Sequence, residues 1–224
     1  MFNFAVLVNT AAVLVGSVLG LITGKGISER FKRVLFQAIG LLTIGLGVEM
    51  FLDANSALVV LGSLALGGLL GEALRIEDGL AKLADAVGPG QGADFARGFV
   101  MAATLFLTGP MTIIGSIQAG LEGTGQLLLI KSLMDGISAM MLAATYGAGV
   151  LLSAVAVWLV QGLLVTFASS LSFLQDVQYL GDFTAVGGLM VIGIGVRMLE
   201  LRDIKVGNYL PALVISPLLS FLIS

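Results

Sequence analysis

Long apolar runs separated by short polar intervals make up most of the chain. Eight runs stand out, at about 3–23, 35–52, 56–74, 98–121, 126–146, 148–169, 183–199 and 207–223. Each is close to the ~20 residues that a helix needs to cross a hydrocarbon core ~30 Å thick. Lipid offers no partner to backbone N–H and C=O groups, so the runs are expected to be helical. A membrane β-barrel would instead show short segments of alternating polarity. The pattern predicts an all-α polytopic membrane protein with about eight transmembrane helices. One interval differs: in 72–88, Ile76, Leu80, Leu83 and Val87 recur at helical spacing opposite Glu77, Asp78, Lys82 and Asp85. That predicts a short amphipathic helix on the membrane surface, or a solvated connector. The glycine-rich stretch 88–92 follows as a loop.

Composition agrees with this pattern. Of 224 residues, 58% are hydrophobic and 11% charged, where a soluble domain carries roughly a quarter charged residues. With Cys and His both absent, disulfides, thiolate chemistry and imidazole bases or ligands are excluded, and no cofactor or metal is expected. The net charge of −3 argues against a nucleic-acid partner. Met1-Phe2-Asn3-Phe4 lacks the positive start of a cleavable signal peptide.

Charge placement sets an expected orientation. Lys25, Arg30, Lys32, Arg33, Arg75, Lys82, Arg97, Arg197, Arg202 and Lys205 fall at one face of the eight-segment layout, whereas Asp53, Glu122, Asp176 and Asp182 fall at the other. Basic residues mark the cytoplasmic side, so both termini are expected outside the cytoplasm.

An internal repeat is visible. GLLTIGLGVEM (40–50) matches GLMVIGIGVRM (188–198) without a gap, and VLVGSVLGLITG (13–24) matches TIIGSIQAGLEG (112–123) more weakly. The offsets imply that segments 1-2-3 correspond to 4-7-8, with hairpin 5-6 inserted. With the charge rule, the copies are inverted across the membrane, a common build of secondary transporters. The expected divisions are 1–76, a first repeat of three helices; 77–97, an amphipathic helix and linker; and 98–224, a second repeat of five helices.

Candidate chemistry lies in segments four and five. Gly109-Pro110 interrupts segment four, where Thr108, Thr112, Ser116 and Gln118 are close in sequence. Proline removes a helix hydrogen bond, and mid-membrane breaks persist where protein or a wet cavity satisfies the freed groups. The alternative is an ordinary packed kink. Segment five holds Lys131 and Asp135 one turn apart, with Ser132 and Ser138 nearby. Intramembrane charges usually line a solute or ion path; the alternative is a pair that only fixes packing. The break is expected to face Lys131 and Asp135 across a polar cavity near the midplane. Arg197 is expected to snorkel to the interface and Glu49 to sit at the opposite one. Asn9 and Asn208 each fit a cavity lining or a plain structural role. The spaced glycines of segment one, Gly16, Gly20 and Gly24, suit close helix packing, including a homo-oligomer.

GPMTIIGSIQAGLEG, KSLMDGISAMM, GGLMVIGIGVRML and VGNYLPAL resemble the signatures of the domain of unknown function 554 family, the YqgA/YdfK-like bacterial inner-membrane proteins. The resemblance spans nearly the whole chain. It implies a multi-pass inner-membrane protein and carries no activity over. From the residues, the leading expectation is a secondary transporter or permease for a small solute or ion, with the lipid bilayer as its surroundings. A structural or assembly partner is the alternative. An intramembrane enzyme is disfavoured, since Ser132 and Lys131 are adjacent on a helix and point about 100° apart.

Overall fold

A computed structural model describes residues 3–24, 29–79, 82, 92–107, 110–123 and 125–223. Its helices are α1 (Phe4–Gly24), α2 (Glu29–Phe51), α3 (Ala57–Leu74), α4 (Gly92–Leu107), α5 (Pro110–Leu121), α6 (Gln126–Tyr146), α7 (Gly149–Thr166), α8 (Ala168–Leu171), α9 (Val177–Met198) and α10 (Leu210–Ile223), with 3-10 turns at Ser172–Gln175 and Val206–Tyr209. No strand occurs among the described residues. Six helical stretches are long and apolar enough to cross a membrane: Phe4–Gly24, Ala57–Leu74, Gln126–Tyr146, Gly149–Thr166, Val177–Met198 and Val206–Ile223. Helices α4 and α5 form a further span if taken together, bent by 59°. The apolar part of α2, Gly40–Phe51, is shorter.

On α6, burial runs opposite to that of a soluble helix. Ile130, Leu133, Met134 and Ile137 are exposed while Lys131, Ser132 and Asp135 are buried. Apolar side chains outward and charges inward is the arrangement that lipid imposes. The chain is a multi-pass membrane protein.

The helices gather into two compact units. The first comprises α1 and α4 to α8. Gly16, Gly20 and Gly24 of α1 lie directly on the backbone of Gly136, Met140 and Ala144 of α6. Both series advance by four, so the two helices run parallel in one register. Small residues allow this approach where no hydrophobic force drives helices together in lipid. Helix α7 runs beside α4 and α5, with Gly149 against the Phe95 backbone and Gly120 against Val165 and Ala168.

The second unit comprises α2, α3, α9 and α10. Here α2 and α9 cross antiparallel through four glycines. A methyl group at Gly47 would lie 2.6 Å from Gly188 O and 2.6 Å from Ile192 Cγ1; one at Gly195 would lie 2.9 Å from Gly40 O and 2.5 Å from Ile44 Cγ1. Gly188 meets Met50 and Phe51, and Gly40 meets Met198 and Leu199. Each contact therefore has a counterpart displaced by 188 − 40 = 148 residues. Gly67 and Gly71 of α3 admit Ala212 of α10 and Asn208 just before it.

The amphipathic helix expected over 72–88 is described only in part. Glu72 belongs to α3, Arg75 turns the chain with φ 51, and 76–79 are helical again. Beyond 79 the expectation lies outside the described residues, except for Lys82, which is helical.

Candidate functional site

Helix α6 has 21 residues. At 1.5 Å per residue, Lys131 lies about 7.5 Å and Asp135 about 13.5 Å from its start, both inside the span. Alone, each charge would cost about 2.5–3.5 kcal/mol to insert. Spacing by four lets the side chains meet on one face, and Lys131 Nζ is ion-paired with Asp135 Oδ2. Both residues are buried.

Two amides complete the cluster. Asn9 of α1 donates from Nδ2 to Asp135 Oδ2 at 3.1 Å and to Gln161 Oε1 of α7 at 3.2 Å. Asn9 and Gln161 are both fully buried. One polar chain, Lys131–Asp135–Asn9–Gln161, thus joins α6, α1 and α7. Among the described residues, Asn9 Oδ1 and Gln161 Nε2 have no hydrogen-bond partner. Leaving a buried amide atom unmade costs about 1–3 kcal/mol, so this cluster retains polar capacity that the fold does not use.

The broken segment borders the cluster. The Phe106 ring of α4 has its centroid 5.9 Å from Lys131 Nζ. A proline at 110 cannot donate to the Phe106 carbonyl four residues earlier; Thr112 Oγ1 donates to that carbonyl instead, at 2.8 Å. Helix α5 begins at Pro110 and runs against α6, with Gly115 packed on Leu127 and Leu128. Going back from Gly115 toward Pro110 therefore leads forward from Leu128 toward Lys131. The positive N-terminal end of α5 lies at the level of the Lys131 ammonium.

The predicted residues divide accordingly. Lys131 and Asp135 come together as expected, joined by Asn9. Thr108 and Gly109 lie outside the described residues, and Pro110 opens α5. Thr112 closes the break. Ser116 is fully buried, with a hydroxyl that has no partner among the described residues. Gln118 and Ser138 are half-buried and contribute none of the hydrogen bonds that link the cluster. Ser132 Oγ donates to Leu128 O at 2.7 Å, within its own helix. Gln161 did not stand out in the sequence. Its one signal is a lone amide in the apolar run VLLSAVAVWLVQGLLV.

Two further polar assemblies lie in the second unit. Asp182 of α9 is buried and its carboxylate accepts from Asn55 N at 2.9 Å, Ser56 N at 2.8 Å and Ser220 Oγ at 2.7 Å. It thus satisfies N–H groups where α3 begins and ties α3 to α10. A cleft of about 540 Å³ beside it also has Asp176 and Gln178 in its lining. Three donors engage both oxygens of the Asp182 carboxylate, which makes it a structural anchor.

Arg197, expected to snorkel, reaches carboxylates beside the end of its helix. Its Nη1 donates to Glu77 Oε1 at 2.7 Å, and its Nε lies 2.8 Å from Asp203 Oδ1. The second contact is an ion pair without hydrogen-bond alignment, since Arg197 Nε has no hydrogen-bond partner among the described residues. Glu77 Oε2 also accepts from Gly207 N at 2.9 Å. A planar guanidinium is suited to pairing with a carboxylate on another element. Asn208 resolves to a structural role: its Oδ1 accepts from Glu77 N and its Nδ2 donates to Glu72. Glu49 is exposed.

The profile of the family described as "Protein of unknown function (DUF554)" matches residues 4–221. "Uncharacterized membrane protein YdfK" of Bacillus subtilis (strain 168) is 31% identical over 224 residues, covering 98% of this chain and 96% of the relative. "Uncharacterized protein YqgA" of Escherichia coli (strain K12) is 30% identical over 225 residues, covering 95% and 94%. No solved structure matches the chain.

Proposed function

The chain belongs to the DUF554 family, described as of unknown function, and from the chain's own geometry we propose that it is a secondary transporter or permease for a small solute or ion. The observation that carries this reading is the buried chain Lys131–Asp135–Asn9–Gln161 with two unpartnered amide atoms. A buried ion pair is a poor device for stability, because well-packed apolar residues do as well or better. Its presence with spare hydrogen-bonding capacity fits a solute path better. The break between α4 and α5 beside Lys131 supports the same site.

In this proposal the chain crosses the bacterial inner membrane eight times, with both termini outside the cytoplasm, as the basic residues suggest. An inverted repeat relates segments 1-2-3 to 4-7-8. The paired contacts of Gly40, Gly47, Gly188 and Gly195 support it at the second and seventh segments. A non-enzymatic role is supported by Ser132, whose hydroxyl is engaged with its own helix. The second reading, a structural or assembly partner, draws support from the glycine-to-backbone packing of α1 on α6; outward Gly-rich faces would serve a homo-oligomer.

The test is flux through the purified full-length chain in liposomes, read by light scattering after challenge with a panel of salts and small polar solutes. The permease reading expects a response above empty vesicles that disappears in Asp135→Asn while the variant stays folded. Equal responses from protein-containing and empty vesicles for every solute would refute it.

A further inference from the structure

We propose that the solute is a small monovalent anion that crosses together with a proton, the proton on Asp135 and the anion on Lys131, with the Asn9 and Gln161 amides reorienting as the proton arrives. This rests on the permease reading above and names its substrate class.

Charge balance sets the frame. The resting site holds one cation and one anion in a medium where net charge is costly. A proton taken from water converts the Asp135 carboxylate to the acid and leaves the Lys131 ammonium without its counter-ion. A monovalent anion restores neutrality, and both leave together when the acid gives its proton to water on the other side. Among the described residues, no hydrogen bond or ion pair joins another ionisable group of the helices packed on α6 to Lys131 or Asp135. Helices α1, α5 and α7 carry no ionisable group, and the acidic and basic residues of α4, Asp94 and Arg97, lie near its start. That start packs at Gly98 on Tyr146, the far end of α6.

The donors favour an anion over a cation. Lys131 is a donor only, Asn9 Nδ2 becomes a free donor when the proton arrives, and α5, whose first N–H groups have no intrahelical acceptor, begins near the level of Lys131 by the Gly115–Leu128 register. A half-helix N-terminus with a buried cation beside it is the arrangement that receives anionic groups in broken-helix transporters.

The amide pair couples the two events. While Asp135 is ionised it requires a donor, so Asn9 turns Nδ2 toward it and offers the other Nδ2 hydrogen to Gln161 Oε1. Protonated Asp135 becomes a donor and prefers Asn9 Oδ1. Asn9 then rotates its amide, and Gln161 must rotate as well to offer Nε2 to that oxygen. The unpartnered pair changes from Asn9 Oδ1 and Gln161 Nε2 to Asn9 Nδ2 and Gln161 Oε1. A proton on α6 is thereby reported through α1 to α7.

Proteoliposomes containing the full chain and an internal pH-sensitive dye provide the test, with potassium and valinomycin clamping the voltage. Inward gradients of chloride, nitrate, lactate and pyruvate are applied separately, followed by a sodium gradient at constant anion, with potassium equal on both sides throughout. The expected result is lumenal acidification driven by at least one anion. Asp135→Asn abolishes it, Lys131→Met abolishes its anion dependence, and Gln161→Leu slows it while the folded yield holds. Infrared spectra should gain a protonated-carboxyl band on adding that anion, missing in Asp135→Asn. A pH change driven by a cation gradient alone, or flux of an uncharged solute with no pH change, would overturn the anion–proton inference and leave the permease reading standing. No response to any gradient or solute would overturn both.

Discussion

Asn9 holds the cluster together because it is hydrogen-bonded to both Asp135 and Gln161. Asn9→Leu removes a hydrogen bond to a charged group, worth about 1.5–3 kcal/mol, and strands the Gln161 carbonyl. Gln161→Leu removes only a neutral bond and deletes an unpartnered donor, so its cost should be about 1 kcal/mol. Thermal unfolding in detergent should rank Asn9→Leu clearly below Gln161→Leu. The reverse order would mean that Gln161 has a stronger partner than Asn9. Asp182 offers a contrast, since its carboxylate satisfies three donors at the start of α3 and on α10. Asp182→Ala should cost about 2–3 kcal/mol or more and leave the flux of the folded fraction unchanged. Loss of flux at full stability would move the site to the second unit. The charged pair of α6 was legible in the sequence because two opposite charges one turn apart in an apolar run share a face, and lipid drives that face inward. Gln161 was not: one amide in an apolar helix says nothing of which helix it faces. Nor was the partnership of Arg197 with Glu77, 120 residues apart.

At the scale of helices, glycine decides which pairs come close. A methyl group at Gly47 or Gly195 meets backbone and a β-branched side chain, whereas one at Gly45 meets nothing within 4 Å. Gly47→Ala and Gly195→Ala should each cost about 1–3 kcal/mol through overpacking. Gly45→Ala should be neutral, or stabilise by up to about 1 kcal/mol through helix propensity. Equal effects at the three positions would show that α2 and α9 do not cross through these glycines. Some helix bounds were readable, because hydrocarbon thickness and helical rise set a length: 126–146 was expected and Gln126–Tyr146 is observed, whereas 183–199 was expected and the helix runs Val177–Met198. The parallel register of α1 on α6 was hidden, since the spacing of Gly16, Gly20 and Gly24 names a sticky face without naming its partner. Thr112 shows the same limit at the break. Its polarity suggested a lining residue, yet its hydroxyl serves the carbonyl that Pro110 orphans.

For the whole molecule, topology and site make separate demands. The chain has no cysteine, so single-cysteine labelling reads sidedness directly. Cysteine at positions 122 and 176 should react with an impermeant maleimide from outside intact cells, and cysteine at 202 only after permeabilisation. Protection at 122 or 176 would break the eight-span layout and the inverted repeat with it. The claim that governs the rest is that Lys131 and Asp135 are kept for transport and not for folding. Replacing both at once, Lys131→Met with Asp135→Leu, removes the pair without stranding either charge. Such replacements of buried ion pairs are often neutral or stabilising by about 1–4 kcal/mol. The decisive measurement is the unfolding midpoint of this double variant together with its solute flux in liposomes. We predict a midpoint at or above that of the unaltered chain with flux lost; a sharply lowered midpoint with flux intact in the folded fraction would contradict the account.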